Sequence, residues 1–274
     1  MPFRRKLSFL PVVATILVLN LAPPALAQRG PYDASPAPPR ASGHVAGNFD
    51  YYVLVLSWSP TFCAGPQRRN FEPQCDARDG RRHAFVLHGL WPQYERGYPE
   101  FCETRDRPFV PQPVIERMLD IMPSPRLVIH EYRKHGTCTG LDPAGYYEVS
   151  RRLFAKVSVP PRYVNLAGPM FIGPAELAQE FVAANPGLEP DMIAIECRGT
   201  GNRLRAVRIC FSREGSYRAC GANERQRRLC PAERMYVPPV RPGAGVQPDP
   251  NGPSRQRLSP RPGPPGRDAG ERFD

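Results

Sequence analysis

Lysine is scarce in this sequence of 274 residues, which holds only 3 lysines against 34 arginines. Its eight cysteines include no C-x-x-C pair, and this argues against a zinc site built from cysteine pairs. The apolar run at the N-terminus, over residues 7–21, falls short of the roughly 20 residues that span a bilayer. These absences disfavour a structural zinc protein and favour a cleaved leader over a membrane anchor.

The N-terminal segment has the layout of an export signal. Arg4, Arg5 and Lys6 precede the apolar run, and a small-residue cleavage site follows at positions 25–27. Residues 1–27 are therefore predicted to be a signal peptide, which leaves no membrane span in the mature form. An even number of cysteines in an exported chain predicts structural disulfides. The absence of an N-x-Ser/Thr site, together with the arginine bias, favours a bacterial protein that is secreted or periplasmic.

Composition divides the remaining chain into three parts. Residues 28–47 are rich in Pro, Ala, Ser and Gly and are predicted to be a flexible lead-in. Residues 237–274 contain ten prolines and few large apolar side chains, so we expect a disordered tail. Residues 48–236 are enough for one domain with a substantial core. A net charge of +11 suits an anionic partner such as nucleic acid.

The domain mixes strands and helices without a βαβ rhythm, which predicts the α+β class. Aromatic and β-branched residues predict a buried strand at 49–58, and further strands are expected at 83–88, 192–197 and 203–212. Helices, each with proline near its start, are predicted at 111–121, 143–157 and 174–184.

The segment His130-Glu131-Tyr132-Arg133-Lys134-His135-Gly136-Thr137-Cys138 carries four chemically capable side chains. The prolines before it predict a helix start, and Gly136 suits a left-handed C-terminal cap. At about 100° per residue of helix, the side chains of His130, Glu131, Lys134 and His135 fall within an arc of roughly 140°. These four side chains therefore share one face of the predicted helix. The two histidines are five positions apart rather than the four of a helical zinc pair, so a metalloprotease is disfavoured.

A second segment, Phe85-Val86-Leu87-His88-Gly89-Leu90-Trp91-Pro92, adds a histidine and an aromatic platform. Strand alternation places Val86 and His88 on one face. Together the two segments supply an acid/base pair, a carboxylate and a fixed cation. This set suits cleavage of RNA through the neighbouring 2′-hydroxyl, with no metal or other cofactor.

At these residues the sequence resembles the ribonuclease T(2) family of exported endoribonucleases. One family signature resembles His88-Gly89-Leu90-Trp91-Pro92, and the other resembles His130-Glu131-x-x-Lys134-His135-Gly136-Thr137-Cys138. Residues 51–63 resemble the family's first strand and following loop, so the likeness covers roughly 48–231. It implies a central antiparallel sheet flanked by helices, stapled by disulfides.

The resemblance also implies a role for each catalytic side chain. His135 would be the general base that takes the 2′-hydroxyl proton, and His88 would be the general acid at the departing 5′-oxygen. Glu131 and Lys134 would stabilise the pentacovalent phosphorane, while His130 would hold the phosphate. The first product would be a 2′,3′-cyclic phosphate, later opened to a 3′-phosphate. DNA would not be cleaved, because it lacks the nucleophile.

Trp91 resembles the family's base-stacking residue on the 5′ side of the cut, with core packing as the alternative interpretation. Gln93 stands where some members carry an acidic residue, and we therefore expect relaxed base specificity. Tyr94 and Tyr98 are both candidates for a second aromatic residue in this pocket. Stacking of this kind favours single-stranded RNA.

The family further suggests the disulfide pairing. Cys102–Cys138 would tether the second segment to the loop after the first, and Cys197–Cys230 would enclose Cys210–Cys220. This leaves Cys63–Cys75 near the first strand.

Two alternatives compete with a metal-free ribonuclease. A catalytically silent, exported RNA-binding or toxin-like protein would share the charge and the disulfides, but the intact catalytic set argues against it. A metal-dependent phosphoesterase would need clustered carboxylates, which the sequence does not display.

The sequence contains no signal for an oligomeric state, and we expect a monomer.

Overall fold

The computed structural model describes residues 43–64, 72–75 and 82–240. The predicted signal peptide, the lead-in up to residue 42 and the tail beyond residue 240 lie outside the described residues. Within the described part no helix is long and apolar enough to cross a membrane.

Six strands form one mixed sheet in an α+β domain, as the sequence predicted. The strands are β1 (Tyr51–Trp58), β2 (Phe85–Gln93), β3 (Met170–Ile172), β4 (Ile193–Arg198), β5 (Arg203–Phe211) and β6 (Met235–Val237). The order β2-β1-β5-β6-β3 defines the sheet, and β4 pairs with β5 outside that path. All pairings are antiparallel except a single parallel contact between β5 and β6.

The described helices are α1 (Ser59–Phe62), α2 (Gln112–Met118), α3 (Pro125–Lys134), α4 (Pro143–Lys156), α5 (Pro161–Val164), α6 (Pro174–Ala184) and α7 (Gln226–Leu229). Each of the three predicted helices is present, and α6 has the predicted bounds. Proline in the first turn of α3, α4 and α6 fits the helix N-terminus, where its missing N–H is not needed. The Asp142 side chain caps α4 by accepting from the Gly145 amide at 2.7 Å.

The two faces of the sheet have different surroundings. Alternate residues of β1, including Leu54, Leu56 and Trp58, belong to the large core that the helices cover. The intervening residues Tyr51 and Val53 belong to a second, small cluster to which Val55, Ala206, Cys210, Trp91 and Cys220 also contribute. The sheet therefore presents a second face, built on β1, β2 and β5, that carries only a thin apolar layer.

Four disulfides join Cys63 to Cys75, Cys102 to Cys138, Cys197 to Cys230 and Cys210 to Cys220. These are the pairs that the family resemblance implies. The second of them fixes the residues after α3 to the loop that follows β2.

The packed domain reaches slightly beyond 48–236 at both ends. On the N-terminal side, the Gly47 amide donates to the Cys138 carbonyl at 2.9 Å, and His44 Nδ1 accepts from the Glu100 amide at 3.0 Å. On the C-terminal side, Val237 and Val240 are buried, and the Trp58 indole donates to the Pro238 carbonyl at 3.1 Å. Residues 43–47 and 237–240 thus pack with the domain.

Candidate active site

A β-bulge at His88 brings the first motif onto the thinly covered face of the sheet. Val55 pairs with Gly89 and the next residue of β1, Leu56, pairs with Leu87, so His88 is an extra residue with no partner on β1. Val86 and His88 line one cleft, as strand alternation predicted. After the bulge the alternation restarts at Gly89, and Trp91 therefore reaches the same face as His88.

The second motif lies on α3 and the turn after it. Ser124 caps the helix by accepting from the Leu127 amide at 3.3 Å. His130, Glu131 and Lys134 lie on the helix, and His135 is its C-terminal cap residue. His130 lines one cleft together with His88, Lys134 and His135 line a second cleft together with Trp91, and Glu131 accepts a hydrogen bond from Trp91.

Gly136 is not the left-handed cap that the sequence predicted. A short 3₁₀ helix begins at Gly136, and the left-handed residue is Gly140, with φ of 77°. Gly136 is instead needed because a Cβ there would lie 2.4 Å from Tyr132 Cδ2. The prediction was wrong because a close side-chain contact, invisible in the local sequence, sets this glycine.

Glu131 is the buried centre of the site. Its side chain is 2% exposed, and Oε2 accepts a 2.7 Å hydrogen bond from the Trp91 indole. His88 Nε2 lies 3.4 Å from Oε1, and His135 Nε2 lies 4.0 Å from Oε2. One carboxyl group therefore contacts or approaches both histidines of the predicted acid/base pair.

Gly89 makes room for this carboxyl group. A Cβ at Gly89 would lie 2.0 Å from Glu131 Oε2 and 2.8 Å from the Trp91 indole nitrogen. Side chains cannot approach so closely, and glycine is therefore required where β2 passes α3.

Burial shifts the protonation of the central groups toward their neutral forms. It raises the pKa of Glu131 to about 8, although the Trp91 hydrogen bond and Lys134 act in the opposite direction. It lowers the pKa of His88 to about 4. Burial, aided by the charge of Lys134, also lowers the pKa of His135 and of His130. Near pH 6 the free site thus holds a protonated Glu131 and a neutral His88.

Trp91 lies between a histidine and an arginine. Its ring stacks on His135 with centroids 5.0 Å apart and planes 23° apart. The Arg208 guanidinium lies 5.0 Å from the Trp91 ring centroid, a cation–π distance. Trp91 remains partly exposed, in contrast to the fully buried Trp58.

Two clefts flank the central carboxyl group. The first, about 460 Å³, is lined by His88, His130 and residues from β1, the loop before β2 and the start of α3, among them Ser57, Phe62, Glu72, Gln74, Ser124, Arg126 and Leu127. The second, about 330 Å³, is lined by Trp91, Gln93, Tyr98, Lys134, His135, Arg198, Arg208, Asn223, Arg228 and Leu229. The two histidines of the pair thus belong to different clefts.

The two candidate tyrosines lie in different surroundings. Tyr98 lines it and is exposed, whereas Tyr94 packs against the core and edge-on to His44. Lys134 lines the same cleft, with its ammonium 3.5 Å from the Glu100 carboxylate. The predicted cation is therefore held next to the pocket by an ion pair.

Sequence reasoning did not identify Arg208, Glu100 or Asn223. Arg208 follows the alternation of β5 onto the site face, but its position beside Trp91 depends on the strand order. Glu100 comes from the loop after β2, and Asn223 comes from a short 3₁₀ helix, Ala222–Glu224, far away in the chain. Neither position belongs to a local motif. The folded sheet and the disulfides bring both residues to the cleft.

Comparisons with known proteins identify the family of the chain. The family model for the Ribonuclease T2 family matches residues 49–220. A ribonuclease of Aeromonas hydrophila is 36% identical over 196 residues, which are 68% of this chain and 83% of that protein. Ribonuclease I of Escherichia coli is 31% identical over 143 residues, which span 39% of this chain and 53% of the relative.

Solved structures extend the likeness to the fold. Trichomaglin, described as a novel S-like ribonuclease, has a TM-score of 0.54 at 21% identity, over 70% of this chain and 99% of its own. An RNase-related protein from Calystegia sepium has a TM-score of 0.53 at 18% identity, over 70% of this chain and 98% of its own. With the family match spanning both histidine-containing motifs, the chain belongs to the ribonuclease T2 family of endoribonucleases.

Proposed function

We propose that the protein cleaves single-stranded RNA by acid/base transesterification, through a 2′,3′-cyclic phosphate to 3′-phosphate ends. The observation that carries this proposal is the placement of His88 and His135 in two adjacent clefts on either side of the Glu131 carboxyl group. A scissile phosphate at the junction of the clefts would have one histidine toward each neighbouring nucleotide.

The first step would run from the second cleft to the first. The nucleotide on the 5′ side of the cut would occupy the cleft with Trp91 and Gln93, next to His135. His135 would take the 2′-hydroxyl proton while O2′ forms a bond to phosphorus. The bond from phosphorus to O5′ would break, and His88 would donate a proton to that oxygen. Each such proton transfer contributes roughly 10²–10⁴-fold.

The low pKa of His88 in the free site is compatible with this role. Bound phosphodiester adds a negative charge near both rings, which raises histidine pKa values. His130, in the same cleft as His88, would hold the phosphate.

Lys134 and Glu131 would stabilise the phosphorane in different ways. Lys134 supplies positive charge where the equatorial oxygens become more negative. Glu131, with its pKa raised to about 8, would be protonated in neutral and acidic solution. Because Oε2 accepts from Trp91, the proton would lie on Oε1, which faces His88. A neutral carboxyl group can donate to the phosphorane, whereas a carboxylate would repel it.

Several finer properties belong to the same proposal. A second turnover with water would open the cyclic phosphate, with the two histidines exchanging roles. DNA would be left intact because it has no 2′-hydroxyl. All four bases would be accepted, no metal or other cofactor would be needed, and the protein would act as an exported monomer in the periplasm or outside the cell.

The test is incubation of the mature protein with matched RNA and DNA oligonucleotides in excess chelator, with the products read by mass. We expect 2′,3′-cyclic phosphate ends from RNA and intact DNA. His88→Ala and His135→Ala should each reduce cleavage by at least about 10²-fold, while His83→Ala, outside both clefts, serves as the matched control. Full activity in either first variant would contradict the assignment. A folded, oxidised wild type that binds RNA but cleaves none would instead be the silent binder.

A further inference from the structure

The side chain of Asn223 is fixed in one orientation by a single backbone residue. The Gly97 amide donates to Asn223 Oδ1 at 3.1 Å, and Asn223 Nδ2 donates to the Gly97 carbonyl at 2.7 Å. The Gly97 carbonyl also accepts from the Tyr94 amide at 3.0 Å, so it is the acceptor that closes this turn. Exchanging the oxygen and nitrogen of Asn223 would place donor against donor and acceptor against acceptor.

The fixed amide of Asn223 in turn orients Gln93. Asn223 Nδ2 donates its second hydrogen to Gln93 Oε1 at 2.8 Å. Gln93 lines the second cleft, and within the described residues its Nε2 has no hydrogen-bond acceptor. The group that Gln93 offers to a ligand is therefore the N–H donor and not the carbonyl oxygen.

The segment that carries Asn223 is held in place by its neighbours. The adjacent Glu224 has a fully buried side chain, which accepts from the Tyr51 hydroxyl at 2.5 Å and lies 3.5 Å from the Arg208 guanidinium. The Cys210–Cys220 disulfide fixes the chain just before it, and the Ala222 amide donates to the Glu95 carbonyl at 2.8 Å. This orientation is thus built into the fold.

The charged side chains of the second cleft offer hydrogen-bond donors, as Gln93 Nε2 does. Lys134, Arg198, Arg208 and Arg228 line it, and ammonium and guanidinium groups only donate hydrogen bonds. Among the described residues, Glu100 pairs with Lys134 at 3.5 Å, and Glu196 pairs with Arg208 at 2.6 Å and with Arg198 at 3.5 Å, but neither carboxylate lines the cleft. A base edge that carries acceptors therefore meets a matching surface, while an exocyclic amino group meets further donors.

We propose that Asn223 is a specificity-determining positioning residue, which turns the Gln93 amide so that the cleft prefers keto bases. The inference rests on the proposed function, because it names the nucleotide on the 5′ side of the cut. Guanine offers O6 and N7 as acceptors and uracil offers O4, whereas adenine and cytosine present an amino group. All four bases are cleaved, with guanine and uracil about 10-fold ahead.

The experiment compares kcat/KM for the dinucleoside monophosphates GpA, UpA, ApA and CpA. Wild type should favour GpA over ApA and UpA over CpA. Asn223→Ala, which frees the Gln93 amide, should bring both ratios near 1. Asn223→Asp should reverse them, because its carboxylate accepts from Gln93 Nε2 and turns the oxygen toward the base. Asn165→Ala, at an exposed position away from the clefts, should keep the wild-type ratios.

A ratio of rates is insensitive to the fraction of folded enzyme, so loss of stability does not imitate the effect. If Asn223 variants do not fold, Gln93→Glu tests the same point with the Asn223 clamp intact, and it should also reverse the preference. Equal rates in wild type, or unchanged ratios in all three variants, would overturn the inference.

Absence of cleavage of all four substrates would contradict the proposed function instead. In that event the dissociation constants of 3′-GMP and 3′-AMP decide the inference, since tighter binding of 3′-GMP supports it and equal binding overturns it.

Discussion

The indole nitrogen of Trp91 donates a 2.7 Å hydrogen bond to Oε2 of Glu131. This bond joins β2 to α3, and so it joins the two segments that carry the histidines proposed to be catalytic. It also fixes which carboxyl oxygen faces His88, since Oε1 is the oxygen left on that side. Trp91 therefore has a positioning role in addition to its proposed contact with a nucleobase.

Replacing Gly89 by alanine should disable the site. The new Cβ would lie 2.0 Å from Glu131 Oε2, so the carboxyl group would have to move and its bond to Trp91 would break. We expect a loss of about 1–3 kcal/mol in the free energy of unfolding, as for other overpacked positions, with a fall in kcat/KM of about 100-fold. Gly168→Ala is the matched control, because nothing lies within 4 Å of a Cβ there. Wild-type kinetics in Gly89→Ala would contradict the described packing.

Stability should fall between about pH 6.5 and pH 8, and Glu131 should be the cause. Its pKa is raised to about 8 in the folded state, so folding takes up a proton over this range and each pH unit costs about 1.4 kcal/mol. The lowered pKa of His88 acts in the opposite sense, but only between its folded value of about 4 and its unfolded value near 6.5.

Denaturant unfolding at several pH values measures this linkage. Wild type should lose about 2 kcal/mol from pH 6.5 to pH 8, whereas Glu131→Gln should lack that loss. Glu148→Gln, on the exposed surface of α4, should retain it. Parallel curves for wild type and Glu131→Gln would show that Glu131 is already ionised in the folded protein at neutral pH.

Two C-terminal truncations should show that residues 237–240 contribute to the stability of the domain. A chain that ends after Val240 keeps two buried valines and the acceptor of the Trp58 indole, so its melting temperature and its kcat/KM on a dinucleotide should match the full chain. A chain that ends after Tyr236 loses them. With about 1.5–3 kcal/mol for each buried valine and about 1–3 kcal/mol for an unpaired buried donor, it should be less stable by roughly 4–9 kcal/mol. Equal melting temperatures of the two truncations, measured by circular dichroism, would contradict this account.

Local sequence patterns predicted the fold class, the main strands and the helices α2, α4 and α6. Residues such as Pro174 and the aromatic and β-branched segment from Tyr51 to Trp58 carry that information within a few positions. The predicted site residues lie in two short, contiguous motifs, and the fold brings the two motifs together.

The sequence did not predict what depends on contacts between distant segments. Gly136 was assigned a left-handed conformation because glycine often ends a helix, but the contact with Tyr132 is what requires it. The bulge at His88 could not be inferred either, since the pairing of β2 with β1 defines it. Asn223 acts on Gln93 across 130 positions of sequence, through a turn that only the folded chain forms.

The irregular pairing at His88 has a consequence for how this domain can tolerate change. β2 lies at one end of the strand order, and β1 pairs with β5 from Tyr52 to Ser57 without interruption. The extra residue is therefore absorbed at the border of the sheet and is not transmitted inward. The irregularity that places His88 and Trp91 at the site is thus confined to a strand at the end of the sheet, and the interior pairing of β1 with β5 keeps its register.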